Sequence, residues 1–452
     1  RKAVTPLLEG LERRELLYST LGGSFTHGSR ITYSFVPDGT NIGGLSSNLY
    51  ATLNAVAPTA TWQTAFSRAA AIWSSYANIN MVQVSDNGAP LGAAGNQQGD
   101  GQFGDIRISM TPQASGILGT ALLPPPFNGG SAAGDISLNS NVSWAINANY
   151  DLQTVAIHEI GHALGVGHST ITSAVMYAYY NNVKQSLTAD DIAGIQAVYG
   201  AYPADPINDG TFATATNLTS LIDSNGQVAL GGRSLAGGGD LDFYSITVPA
   251  NTNGTMTISM QSTNLSSVSP RLTVYNGSQA GIGMTSLPNS FGATATFTVS
   301  GVTPGQTYYF RASAASAFGS YGAYGMLVNF GSASQAPIAP PNTTVTAQPD
   351  QGGGSINVEL VQIGHFEGYG EQLTGTLPTA GNTAPRLDPN GWSIFLAGMT
   401  FLSAESATKA GTLLEGVDPS NWDAVLDAAI HAWGDTESLL RILKDLRKAS
   451  KK

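Results

Sequence analysis

No cysteine occurs among the 452 residues, so no disulfide framework holds this chain together and its stability must come from core burial or bound ions. Charge is scarce as well: 11% of residues are Asp, Glu, Lys or Arg, against about a quarter in an average globular protein. The net charge of -11 argues against nucleic acid as a partner. No apolar run reaches about 18 residues, so no membrane span is expected. What the chain has in quantity is Gly, Ser, Thr and Asn, the composition of a secreted, loop-rich protein, at a length that allows two to four domains.

Histidine is rare, at six residues, yet three of the six fall within His158-Glu159-Ile160-Gly161-His162-Ala163-Leu164-Gly165-Val166-Gly167-His168. Read as a helix, this places His158 and His162 one turn apart on one face, with Glu159 beside them. Gly165 ends the helix where a positive φ is cheapest without a Cβ, and the reversed chain brings His168 back as a third ligand. Three neutral imidazoles leave a fourth coordination position of a zinc ion open to water. Zinc lowers the pKa of that water towards about 7, and Glu159 is placed to take its proton.

The extended motif resembles that of the metzincin metallopeptidases, and Ser169 directly after it resembles the matrixin branch. Met176, in Ala174-Val175-Met176-Tyr177, matches the Met-turn that in this family floors the zinc site. Ala178 stands where relatives with an extra tyrosine ligand carry it, which favours the matrixin-like form. The resemblance covers roughly residues 30 to 200. A coarse reading of the residues agrees with it: Ile31 to Val36, Asp105 to Met110 and Asp135 to Leu138 read as strands, and Trp62, Phe66, Ala69, Ala70 and Trp73 recur at the spacing of a long helix, with Thr61 available as its cap. Gly119-Thr120-Ala121-Leu122 resembles the edge strand along which the family lays an extended peptide, main chain to main chain. Gly119, Thr120 and Ala121, with Tyr177 and Tyr180 beyond the Met-turn, are therefore the expected substrate-binding residues. Asp151 is expected to cap the zinc helix. Of Asp190 and Asp191, in the closing helix, one or both brace the Met-turn; the alternative for one of them is an acidic first turn favoured by the helix dipole.

Departures from the family pattern also matter. In Gly134-Asp135-Ile136-Ser137-Leu138-Asn139-Ser140-Asn141-Val142-Ser143-Trp144, Ser137 replaces the histidine of a structural zinc site, and Asn139 and Val142 replace two carboxylates of a calcium site. One catalytic zinc and no structural zinc is the expectation. The absence of cysteine also excludes the cysteine-based latency switch typical of animal matrixins.

Short Thr/Val/Ser-rich strands bounded by Gly, Pro and Asn follow from about Asp205, the mark of an all-β sandwich. The segments Asp205-Pro206-Ile207-Asn208-Asp209, Gly239-Asp240-Leu241-Asp242-Phe243-Tyr244 and Pro270-Arg271-Leu272-Thr273-Val274-Tyr275 together resemble the bacterial pre-peptidase C-terminal domain. That resemblance makes Asp205, Asp240 and Asp242 candidates for calcium, with solvated turn carboxylates as the alternative. Leu11-Glu12-Arg13-Arg14-Glu15-Leu16-Leu17 resembles an export motif of large bacterial proteins, or is an ordinary charged helix. Near the other end, Leu439, Ile442, Leu443 and Leu446 form an apolar stripe, read as a packing face or as a surface anchor.

The expected organisation is multidomain. It comprises an N-terminal export-motif-like segment (1–29), an α+β peptidase domain with a twisted mixed sheet and three helices (30–203), a β-sandwich (204–331), a linker (332–355) and a partly helical tail of unknown role (356–452). The expected function is a secreted or cell-surface bacterial zinc endopeptidase acting on proteins or peptides. The alternative is a catalytically silent adhesion or binding protein using the sandwich. Nothing in the sequence sets the oligomeric state.

Overall fold

A computed structural model describes residues 18–346 and the backbone of residues 358–363. The export-like motif, the end of the linker and the apolar stripe of the tail lie outside the described residues. The chain opens with β1 (Ile31–Phe35), whose five residues are all buried because it lies between two parallel neighbours. A small hairpin of β2 (Asn41–Ile42) and β3 (Leu45–Ser46) and a short helix α1 (Leu49–Asn54) follow. Helix α2 (Thr59–Ser74) then buries Trp62, Phe66, Ala69, Ala70 and Trp73 at the expected spacing. It begins two residues before Thr61, with Pro58 at the N-cap position, so the expected cap is corrected. Phe35 meets Trp62 and Phe66 edge-on, with ring centroids 5.1 and 5.4 Å apart, which locks α2 onto the sheet.

Strands β4 (Met81–Gln83), β5 (Ile106–Thr111), β6 (Ile117–Leu122) and β7 (Ile136–Asn139) complete the inner sheet. Helix α3 (Leu152–Ala163), the two-residue strand β8 (Tyr179–Tyr180) and helix α4 (Ala189–Tyr199) follow. The sheet order is β4-β1-β5-β7-β6, parallel except for β6, which runs antiparallel to β7. The expected mixed sheet is present, and the described helices number four rather than three because α1 is added. A six-residue helix without a side-chain cap leaves little sequence signal.

The β-rich region after residue 204 contains β9 (Thr216–Asn217), β10 (Gln227–Ala236), β11 (Leu241–Thr247), β12 (Thr255–Gln261), β13 (Pro270–Tyr275), β14 (Gly281–Ser286), β15 (Thr294–Ser300), β16 (Thr307–Ala314) and β17 (Tyr321–Asn329). They form a four-stranded sheet, β10-β17-β12-β15, and a five-stranded sheet, β14-β13-β16-β11-β9. Their inner faces share one apolar core that includes Val228, Tyr244, Ile258, Leu272, Phe310 and Met326. Alternating burial along β12 and β13 is the period-two signature of strands with one face on that core.

This region touches the first at the outer edge of β4. The Ser267 hydroxyl donates to the Met81 carbonyl, and the Ala323 N–H donates to Asn80 Oδ1 at 3.3 Å. Tyr202 meets Tyr321 edge-on at 5.1 Å, and the Arg68 guanidinium lies 5.1 Å from the Phe318 ring. Beyond β17 the chain returns along the β-rich region, where the Ile338 N–H donates to Gln261 Oε1 at 2.9 Å, and then pairs Val345 with Gln98 of the first region. A last strand, β18 (Val358–Ile363), joins the first sheet beside β6 and β8.

Candidate metal and peptide site

The Asp151 carboxylate caps α3, accepting from the Thr154 N–H at 3.0 Å, so the helix carrying His158, Glu159 and His162 starts at a fixed residue. It ends at Gly165, whose φ of 96° only glycine adopts without strain. A Cβ there would also strike the Gly23 carbonyl oxygen, because residues 19–23 run against the turn: the Leu21 N–H donates to the Gly165 carbonyl at 2.8 Å. The reversed chain places His168 Nε2 3.2 Å from His162 Nε2, which is itself 2.9 Å from His158 Nε2.

The other ring nitrogens are committed. His158 Nδ1 donates to the Val175 carbonyl and His162 Nδ1 to the Val166 carbonyl, each at 2.8 Å, so in both rings Nε2 carries the lone pair. Burial, reinforced by the neighbouring His168, pushes His158 down to about 3, and burial pushes His162 well below its ordinary value. Both are neutral at pH 7. Nitrogens about 2 Å from one tetrahedral ion stand about 3.3 Å apart, close to the observed spacing, so His158, His162 and His168 fit a zinc ion with one position left over.

Glu159 is fully buried one residue further along the helix. Its carboxylate lies against β6: a Cβ on Gly119 would stand 2.6 Å from Glu159 Oε1, so this strand position is held by the only residue small enough for that approach. Gly119 of β6 thus passes directly against the carboxylate, and Tyr179 and Tyr180 form the short strand β8 of the same sheet. The Tyr180 hydroxyl accepts from the Asp151 N–H at 3.0 Å, tying this wall to the start of α3, while the Tyr177 ring lies 5.7 Å from Tyr179.

Under the histidines the buried Met176 packs against Gly161, where a Cβ would collide with its sulfur and with Trp73. Asp191 braces this turn: its oxygens accept the Val175 and Met176 N–H groups, each at 3.0 Å, while also closing a capping box with Thr188. Asp190 accepts from the Ser169 hydroxyl at 2.5 Å, next to His168. Both aspartates therefore hold the site, and the dipole alone does not account for either. Around the replaced histidine, Ser137 Oγ and Thr111 Oγ1 are 2.9 Å apart. Asn139 donates to the carbonyls of Ala114 and Ile117 and accepts from the N–H groups of Gln113 and Asn141. Neutral hydrogen bonds thus tie this loop together.

Of the three candidate calcium ligands, Asp205 and Asp242 come together, but their third partner is Asp209; ligand oxygens of these three lie within 4.8 Å of one another. The Asp240 carboxylate instead accepts the Ala236 N–H at 2.6 Å. Buried oxygens Oδ1 of Asp209 and Oδ1 of Asp242 make no hydrogen bond.

Sequence reasoning missed Asp209 as a partner, the close packing of Gly161, and β18. The last corrects the expectation that β6 is an edge strand, since residues 358 to 362 pair with it from Leu122 to Ile117, skipping Leu118. Its signal is present in Val358-Glu359-Leu360 and Gln362-Ile363, a short apolar and polar alternation.

Comparison with known proteins agrees with this geometry. Residues 47–200 match the matrixin family model, Peptidase M10. The chain is 39% identical over 146 residues to karilysin of Tannerella forsythia, an alignment covering 31% of this chain and 29% of karilysin. It is 33% identical over 156 residues to Metalloendoproteinase 2-MMP of Arabidopsis thaliana, covering 30% of this chain and 37% of that protein. With human neutrophil collagenase it shares 34% identity over 146 residues, 31% of this chain and 29% of the collagenase. The match thus spans well under half of each relative and leaves the β-rich region and the tail outside it.

Proposed function

We propose that this chain, whose residues 47–200 match the matrixin family model, is a zinc-dependent endopeptidase that cuts proteins or peptides bound as an extended strand against β6. The observation that carries the reading is the convergence of three imidazole nitrogens beside the buried Glu159 carboxylate, itself pressed against Gly119 of the pairing strand. A zinc ion held by His158, His162 and His168 supplies a Lewis acid and a water acidified to near neutrality. Glu159 sits one residue from the first ligand, buried, where it can take a proton from that water and return it to the leaving amine. Main-chain groups of Gly119, Thr120 and Ala121 hold the substrate in extended form and fix which bond passes the carboxylate. Tyr177 and Tyr180 flank the side chain that follows the cut.

A silent binding protein has no physical need for a carboxylate at residue 159, which weighs against that alternative. We also propose that Asp205, Asp209 and Asp242 take a calcium ion, supported by their clustered and partly unsatisfied oxygens. A location outside the cell rests on the low charge and the family resemblance. The experiment is to incubate zinc-loaded protein with a proteome-derived peptide library, with and without chelator, and map the cuts. Chelator-sensitive cuts are expected; none at all would transfer the function to the binding reading.

A further inference from the structure

We propose that the chain is its own substrate: residues 358–363 lie in the peptide-binding position of the site, and the bond between Leu360 and Val361 is cut in the same molecule. This rests on the endopeptidase reading above. Backbone register carries it. Val358, Glu359, Leu360 and Val361 pair antiparallel with Leu122, Ala121, Thr120 and Gly119, the positions expected to hold substrate. On its other side the same strand pairs in parallel with β8, Gln362 beside Tyr179 and Ile363 beside Tyr180. One segment of the chain thus fills the space between the two elements assigned to a bound peptide.

The register also selects the bond. Val361 is the residue opposite Gly119, and Gly119 is the residue against which the Glu159 carboxylate rests, so the main chain at Val361 is the part of β18 nearest the base. Immediately after Val361 the ladder shifts, and Gln362 pairs with Ile117 instead of Leu118. Residues 358 to 361 pair with β6 alone, Gln362 pairs with both β6 and β8, and Ile363 pairs with β8 alone. The bond before Val361 is therefore the last whose two residues both pair with β6 alone, just ahead of the doubly held Gln362. In the cut, a water hydroxyl adds to the Leu360 carbonyl carbon, Glu159 takes the water proton, the C–N bond to Val361 breaks, and that proton goes to the departing Val361 nitrogen. The products are a carboxylate on Leu360 and a new amino terminus at Val361, with one water consumed and no other reactant.

The segment is delivered, not captured from solution. The Ile338 and Val345 main-chain contacts lead the chain from the β-rich region back to Gln98, so strand 358–363 starts from a point already anchored on the peptidase domain. A tether of that kind gives an effective concentration on the order of millimolar, at or above the ordinary range of KM. Added peptides must compete with it until the bond is cut.

The test uses the full chain loaded with zinc, followed by intact mass and terminal sequencing, beside the Glu159→Gln and Val361→Pro variants and an added reporter peptide. Wild-type protein is expected to yield chains ending at Leu360 and beginning at Val361, at a rate that does not change across a hundredfold dilution. Glu159→Gln should stay whole and cut nothing. Val361→Pro, which cannot donate from residue 361, should keep the 360–361 bond while still cutting the reporter. Wild-type protein that cuts the reporter but leaves its own 360–361 bond intact, or cuts itself only elsewhere, overturns the proposal and spares the endopeptidase reading. A rate proportional to concentration overturns the intramolecular assignment. If neither reporter nor chain is cut, the endopeptidase reading falls and takes this proposal with it.

Discussion

Gly119 and Glu159 face each other so closely that a methyl group on the strand residue would stand 2.6 Å from the carboxylate oxygen. Gly119→Ala must therefore displace either β6 or the base. We expect it to lower peptide turnover at least tenfold, about 1.4 kcal/mol in the barrier, while zinc content stays unchanged. Elemental analysis beside steady-state kinetics checks this; unchanged turnover would show that the contact does not position the base.

Glu159→Ala removes the proposed base and spares the three proposed ligands. Zinc should remain near one per chain, and turnover should fall by roughly a hundredfold to ten-thousandfold. His162→Ala, by contrast, takes away the middle nitrogen of the trio and should abolish tight zinc binding. Two tight zinc ions per wild-type chain would contradict the reading of Ser137.

Gly161→Ala tests the floor of the site. In an exposed helix this change gains about 1 kcal/mol, but here the new methyl meets Met176 and Trp73, and overpacking of a filled core costs about 1 to 3 kcal/mol. A lowered melting temperature is expected from thermal denaturation followed by circular dichroism. A raised one would mean that the thioether moves aside freely.

The β-rich region carries a pH signature. Burial, reinforced by Asp240, Asp209 and Asp205 against the hydrogen bond from Tyr324, pushes the Asp242 carboxyl up to about 7. Below about 4 this group is protonated folded or unfolded, and its contribution is whole. As pH rises from about 4 to about 7 the unfolded chain ionises while the folded carboxyl keeps its proton, so stability is lost until the folded value is passed. A calcium ion reverses that loss by neutralising the carboxylates. Calcium should therefore raise the melting temperature more at pH 8 than at pH 5, and Asp242→Asn should remove the difference. Equal calcium effects at both values would dismiss the site.

Arg107 and Asp86 form a buried pair with N and O 2.8 Å apart and side chains about 1% exposed. Burial works against the Asp86 charge, but hydrogen bonds from Arg107, Ser34 and Gly88 outweigh it and hold the carboxyl below its ordinary value. That contribution is present above about 4 and disappears as pH falls through the folded value. Arg107→Ala should cost about 3 to 5 kcal/mol by denaturant titration at pH 7, because Asp86 is left buried without its partner. A loss under 1 kcal/mol would show that the loop relaxes to admit water.

The catalytic chemistry is legible in the sequence because it is local. His158, Glu159, His162, Gly165 and His168 lie within one helix and its terminal turn, so spacing alone fixes their geometry. Asp191 is half legible: an acid in a first helical turn is visible, but its grip on the N–H groups of Val175 and Met176 depends on how α4 docks. The metal-like carboxylate trio depends on strand pairing between distant segments, and spacing near Asp242 favours Asp240, which turns to its own loop. Strand β18 is hidden for the same reason, since its partners β6 and β8 lie far back in the chain and a short alternating stretch has no meaning without them.

The docking of the β-rich region on β4 has a consequence for assembly. At that end of the sheet, Ser267 occupies the Met81 carbonyl and Ala323 engages Asn80, so the β-rich region stands where a further strand would add. At the opposite end, departure of residues 361 onward would free Gly119 and Ile117 of β6, while residues 358 to 360 stay paired with the rest of that strand. A sheet with a single open end can accept one strand or pair once with a second copy, but it cannot polymerise. The contact between the two regions would thus let part of β6 be exposed after the proposed cut without seeding fibres.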